Sequence, residues 1–220
     1  MLNYCSIVRK EYSNRMKTII FTQRVDVITS YNERRDCADQ RISDFLWQCG
    51  YMPIPVQNNP DIVTNIIGQL KPDGIVLTGG NSLVRYGGNA PERDAIDSLL
   101  IKMAIENDIP LYGFCRGMQS ILEYFDEKLE TVKGHVAVRM KLAGKVDPLL
   151  GDFNREVNSY HNQGCLLVIN PEIEVMAKSI DGVVKAIKHA RYRLFGTMWH
   201  PERDMPYSKV DIAMVKNFFN

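Results

Sequence analysis

The 220-residue sequence lacks any excess of charge: 27 lysines and arginines stand against 26 aspartates and glutamates, for a net charge of +1. Without a broad positive field, neither nucleic acid nor an anionic membrane surface is an expected partner, and any anionic ligand must be held by a local cluster. Cysteine is scarce and irregular. Its five copies contain no CxxC and no regular spacing, which speaks against a disulfide framework and suits a reducing compartment. No stretch approaches the ~18 uncharged apolar residues of a membrane span. The opening residues, MLNYCSIVRKEYSNRMKTIIFTQ, carry charges where an export signal needs an apolar core. The expectation is a cytoplasmic protein. Repeats, low-complexity tracts and linker-like stretches are also missing, so residues 17–220 read as one domain, with residues 1–16 as a peripheral extension.

What is present is an alternation of short β-branched runs with longer segments of helical period, the pattern of crossover units around a mostly parallel sheet. KTIIFTQRV (17–25) reads as the first strand. ERRDCADQRISDFLWQCG (33–50) reads as an amphipathic helix, with Ala38, Ile42, Phe45, Leu46 and Cys49 on one stripe and Gly50 at its end. MPIPV and DGIVLTGG are strands flanking a short helix, residues 91–108 form a second amphipathic helix opened by proline, and IPLYGF returns as a strand. Further on, REVNSYHNQG, EVMAKSI, VVKAIKH and LFGTMW are strands joined by short turns, and SKVDIAMVKNFFN closes as a helix. The fold class predicted is α/β: an open, three-layer, mostly parallel sheet with helices on both faces and an antiparallel extension.

Chemistry gathers at the strand ends. Gly113-Phe114-Cys115-Arg116-Gly117 is G-x-C-x-G at a strand-to-helix junction, where a nucleophile sits on a sharp turn with small neighbours and an exposed side chain. The helix amino terminus favours thiolate at Cys115, and the Arg116 cation adds to this where it lies close. The alternative is a buried packing cysteine. MWHPER offers His200 after an apolar strand, with Glu202 two residues on, so that an extended backbone would let the carboxylate hold one imidazole nitrogen while the other faces the sulfur. The competing reading is a solvated surface turn. LTGG supplies Gly79 and Gly80, whose N–H groups, with that of Arg116, could receive a developing oxyanion.

GFCRGMQ, VNSYHNQG and MWHPE, in this order and at these separations, resemble the class I glutamine amidotransferase superfamily, and within it the stand-alone γ-glutamyl hydrolase branch. The resemblance implies a flavodoxin-like core, a triad of Cys115, His200 and Glu202, and an oxyanion hole at Gly80 and Arg116. It also implies a glutamyl pocket formed by Gln119 and by the strand carrying Asn158, Ser159, Tyr160 and His161. The substrate expected is a small γ-glutamyl compound, with no metal and no cofactor; a homodimer stays open. His135 and His189 read as structural, and Cys5, Cys37, Cys49 and Cys165 as packing residues.

For the leaving group, Arg34 and Arg35 in SYNERRDCADQR and Arg85 and Tyr86 in NSLVRYGG are suited to phosphate and to base stacking, or are a solvated helix start. The YNERRD segment also resembles hydrolases of capsule phosphoramidate biosynthesis, which release a nucleotide-linked amidate from a γ-glutamyl carrier. Two other readings stay open: a glutaminase subunit that supplies ammonia to a partner synthetase, and a non-catalytic binding protein.

Overall fold

The computed structural model describes residues 15–220. The extension expected over residues 1–16 therefore lies almost wholly outside the described residues, and so does Cys5. Of its last members, Arg15 pairs with Asp73 at 3.0 Å.

The strands of four residues or more, in chain order, are β1 (Thr18–Thr22), β2 (Arg24–Ile28), β3 (Glu33–Cys37), β4 (Met52–Val56), β5 (Gly74–Leu77) and β6 (Leu111–Phe114). They continue as β7 (Val136–Gly144), β8 (Glu156–Tyr160), β9 (Ile173–Ser179), β10 (Val184–His189) and β11 (Leu194–Thr197). The helices are α1 (Gln40–Gln48), α2 (Pro60–Leu70), α3 (Pro91–Glu106), α4 (Arg116–Tyr124) and α5 (Lys209–Phe219). Nine strands form one sheet in the order β8-β7-β9-β10-β11-β6-β5-β1-β4. From β11 to β4 every pairing is parallel, and from β8 to β11 every pairing is antiparallel. The predicted α/β architecture with an antiparallel extension is the one observed.

The central strands read as unbroken apolar runs because both faces are covered. On one face Phe21, Val76, Tyr112 and Phe195 pack under α1 and α5; on the other Ile20, Ile75, Leu77 and Leu111 pack under α2, α3 and α4. These layers fix where the carboxyl ends of β1, β5, β6 and β11 converge, the edge at which open α/β sheets hold ligands.

One expected element is different. Residues 33–50 are not one helix. Glu33–Cys37 is a strand, paired antiparallel with β2 in the register Asp26↔Arg35 and Val27↔Arg34, and turned through Asn32 at φ 52°. The helix begins only at Gln40, where the Asp39 carboxylate accepts from the Arg41 N–H and caps it. Of the expected stripe, Ile42, Phe45, Leu46 and Cys49 are buried, while Ala38 precedes the helix and is only partly buried. The first strand also ends sooner than expected, at Thr22, and the chain enters this hairpin at Arg24. The hairpin lies directly after β1, at the carboxyl edge.

Candidate active site

Cys115 follows β6 with φ 52° and ψ −108°, a conformation costly for a residue with a side chain. What imposes it is the closeness of α4 to the sheet: a Cβ on Gly117 would lie 2.0 Å from the Leu77 carbonyl oxygen, so only glycine lets the helix start there. The thiol is not exposed as expected. Cys115 is 7% exposed and sits within the cluster of Phe114 and Trp199, buried and activated at once. Burial alone would push its pKa up; the charge and hydrogen bond of His200, with the Arg116 N–H, bring it below the ordinary thiol value. The Arg116 guanidinium takes no part. It is buried and committed to Asp94, Asp97 and Ser120, so the helix start and the histidine supply the positive environment.

His200 follows β11 in extended conformation, its backbone N–H donating to Asn158 Oδ1 at 2.9 Å and its carbonyl accepting from Asn158 Nδ2 at 2.8 Å. The Asn158 side chain is therefore a clamp on the histidine. Pro201–Arg203 is a 3-10 turn, not an extended segment, and the turn brings Glu202 Oε1 to 2.7 Å from His200 Nδ1. Burial opposes charge on His200, but the Cys115 thiolate and then Glu202 raise its pKa to about 10. The two shifts run in opposite directions and both favour a thiolate beside an imidazolium.

A Cβ on Gly79 would meet His200 Cε1 at 2.6 Å, and Gly80 takes φ +90°. A residue that the sequence reading did not single out holds this loop. Arg93, fully buried on the first turn of α3, donates to the Thr78 carbonyl at 2.7 Å and the Gly80 carbonyl at 2.6 Å. Desolvation lowers its pKa to about 9.

A cavity of about 200 Å³ beside the thiol is lined by Cys115, Gln119, Tyr160, His161 and Gln163, among others. Gln119 and His161 are both anchored, through Nε2 at 2.9 Å and Nδ1 at 2.9 Å, to the Gln163 carbonyl. Ser159 is fully buried and turned away, donating to the His135 carbonyl and accepting from Lys185 Nζ at 3.0 Å. That lysine was also missed. Its Nζ lies 2.7 Å from His161 Nε2 and 2.9 Å from His135 Nδ1. Burial lowers the Lys185 pKa to about 8, and burial with the lysine charge lowers that of His161 to about 3, so His161 is neutral and offers its ring, not a free nitrogen. Among the described residues no cluster of histidine, cysteine and acid side chains could hold a metal ion.

The arginines expected at the leaving group are engaged elsewhere. Arg34 Nε binds Glu92 at 2.6 Å, Arg35 Nε binds Glu33 at 2.7 Å, and Arg85 binds Glu123 at 2.9 Å. Tyr86 also spends its hydroxyl on Glu123, at 3.2 Å. None of the four lines either cavity that His200 borders. Arg34 and Arg35 point outward because they lie on an exposed hairpin strand, not at a helix start.

Comparison with known proteins agrees with this geometry. The peptidase C26 family matches residues 22–202. The chain is 27% identical over 207 residues to the γ-glutamyl-CDP-amidate hydrolase of Campylobacter jejuni, covering 90% of this chain and 96% of that one. It is 28% identical to the γ-glutamyl-γ-aminobutyrate hydrolase of Escherichia coli O157:H7, covering 85% of this chain and 88% of that one. The crystal structure of a protein from Thermoplasma acidophilum, described as part of a GMP synthase, superposes with a TM-score of 0.71 over 94% of both chains at 20% identity, which establishes the shared fold. Strand-end cysteine, clamped histidine and family match together identify the chain as a member of the peptidase C26 family, on a class I glutamine amidotransferase-like fold.

Proposed function

We propose that the chain is a cysteine-dependent hydrolase of γ-glutamyl amides, with Cys115 as nucleophile, His200 as proton carrier and Glu202 as its orienting carboxylate. The observation that carries this reading is the relay itself: a thiol with lowered pKa, an imidazolium with raised pKa, and a carboxylate 2.7 Å from Nδ1. The thiolate adds to the γ-carbonyl carbon. The N–H groups of Gly80 and Arg116 receive the oxyanion, and His200 gives its proton to the leaving nitrogen as the C–N bond breaks, leaving a γ-glutamyl thioester. Neutral His200 then takes a proton from water, whose oxygen displaces the sulfur and releases glutamate. The glutamyl end fits the cavity of Gln119, Tyr160 and His161. The finer reading, a nucleotide-linked amidate as leaving group in capsule modification, draws on the Campylobacter relative. A cytoplasmic setting accords with free buried thiols and, among the described residues, with no helix long and apolar enough to cross a membrane.

Intact-mass measurement after acid quench tests the mechanism. A γ-glutamyl adduct on the wild-type chain, absent from a Cys115→Ser chain, is expected; no adduct when deacylation limits turnover would end the proposal. A second test concerns the oxyanion loop. Arg93→Met leaves the buried Thr78 carbonyl and the partly buried Gly80 carbonyl without this donor, so stability should fall by ~1–3 kcal/mol. The loop should also lose its fixed aim, and kcat should drop by about tenfold or more, since removal of one oxyanion donor costs ~2.7–4 kcal/mol. Denaturant midpoints and kcat at a temperature where the variant is folded separate the two effects. An unchanged kcat would remove Arg93 from the account.

A further inference from the structure

His200 stands between two cavities. The smaller holds the thiol; the larger, about 310 Å³, lies under the β2–β3 hairpin and is lined by Arg24, Asp26, Asp39, Ile42 and Phe114, among others. Among the described residues only Gly80, His200 and Arg203 border both. If the carbonyl carbon meets Cys115 and the leaving nitrogen meets His200, whatever that nitrogen carries continues beneath the hairpin. Ammonia needs no such space. A cavity of this size is at the lower end of the range that holds small organic ligands.

The charges within it differ in how they are satisfied. Asp26 is bound by Arg24 Nε at 2.8 Å, Asp39 by Arg41 Nε at 3.0 Å, and Glu202 by His200. Arg24 is thereby spent. Arg203 is not: its guanidinium stacks over the Tyr160 ring at 4.3 Å and comes no nearer than 3.7 Å to Glu202. Its Nε is buried yet has no hydrogen-bond partner among the described residues. A planar cation, stacked on an aromatic face and short of acceptors, suits an anion presented by a ligand.

We propose that Arg203 is a specificity-determining residue, and that the substrate is a γ-glutamyl amide whose leaving amine carries an anionic group seated beneath the hairpin. The inference rests on the γ-glutamyl hydrolase reading and deepens it. Phosphate and carboxylate share the chemistry that Arg203 recognises. The arginine lines the cavity beneath the hairpin together with Asp39 and Glu202, on the same turn as Glu202. The glutamyl side already has Gln119 and the Tyr160–Gln163 backbone.

The test is kcat/KM for three γ-glutamyl amides of matched length, made with an aminoalkyl phosphate, with 4-aminobutyrate and with a neutral alkylamine, on wild type, Arg203→Met and Arg203→Lys. Wild type should prefer at least one anionic substrate over the neutral one by about ten- to a hundredfold, the worth of a charge-assisted hydrogen bond. The phosphate-to-carboxylate ratio distinguishes the two sources. Arg203→Met should erase the preference, whatever loss the three substrates share, and Arg203→Lys should keep part of it. An equal loss on all three would overturn the proposal, because Arg203 would then serve the common glutamyl end or Glu202. So would a wild type indifferent to charge. Failure to release glutamate from any of the three would instead overturn the hydrolase reading, and this inference with it.

Discussion

Replacing Cys115 by alanine is expected to lower kcat/KM for a γ-glutamyl amide by about 10⁴-fold or more, as loss of a nucleophile does in enzymes whose catalytic groups act as a unit. The expectation has to face the burial of the residue. Because Cys115 is packed against the core, its loss removes some contact, on the scale of the ~0.5–1.5 kcal/mol of a deleted methyl group. That is small against a catalytic loss of ~5.4 kcal/mol, which is 10⁴-fold at 1.36 kcal/mol per decade. The strained backbone is set by Gly117 against Leu77, not by the sulfur, so it survives the substitution. Paired measurements of kcat/KM and urea midpoint separate the roles. A variant that kept more than a few per cent of wild-type turnover would make Cys115 a packing residue and end the thioester mechanism; a large midpoint shift with the same loss would make the assay one of folding.

The same residue illustrates what could be read in the sequence. G-x-C-x-G between an apolar run and a helical period is a local pattern, and local patterns at strand ends became the thiol, the histidine and the carboxylate in one place. The parallel half of the fold was legible for a related reason: strands buried on both faces leave short apolar runs such as TIIFT and GIVL, punctuated by glycine, proline and capping residues. Residues 33–37 were not. ERRDC has no apolar stripe to betray its period, and only the turn residues Ser30 and Asn32 and the capping Asp39 signal that a hairpin precedes the helix. Arg93, Lys185 and Arg203 were illegible in another way. PERD reads as an acidic first turn, VVKAIK as a strand with two lysines, and HPER as a solvated turn. Their roles depend on what the fold brings beside them: two loop carbonyls, a pair of buried histidines, and the Tyr160 ring. Conversely, Arg34, Arg35 and Arg85 carried the right chemistry by type and lost it to nearby glutamates.

His200→Ala should cost nearly as much as loss of the thiol, because the imidazolium does two things. It supplies the proton that the leaving nitrogen requires, a contribution of ~10²–10⁴ in rate. It also keeps Cys115 ionised, since burial, the largest influence on the thiol, raises its pKa and His200 is what reverses that. The sign follows directly. With His200 present the thiol titrates below its ordinary value; without it, burial dominates and the midpoint moves above that value. Alkylation of Cys115 by a neutral reagent, followed against pH, should therefore reach its plateau at lower pH in the wild type than in His200→Ala. At the alkaline end, acylation by the wild type should fall as pH rises through about 10, where His200 gives up the proton it must donate. Glu202→Gln should be milder. Its amide oxygen can still accept from Nδ1–H, but the lost carboxylate charge lowers the His200 pKa and brings that alkaline limb to lower pH. Loss of an orienting acid costs less than loss of the base it orients. Identical alkylation profiles for wild type and His200→Ala would show that the thiolate owes nothing to His200, and the assignment of the pair would fall.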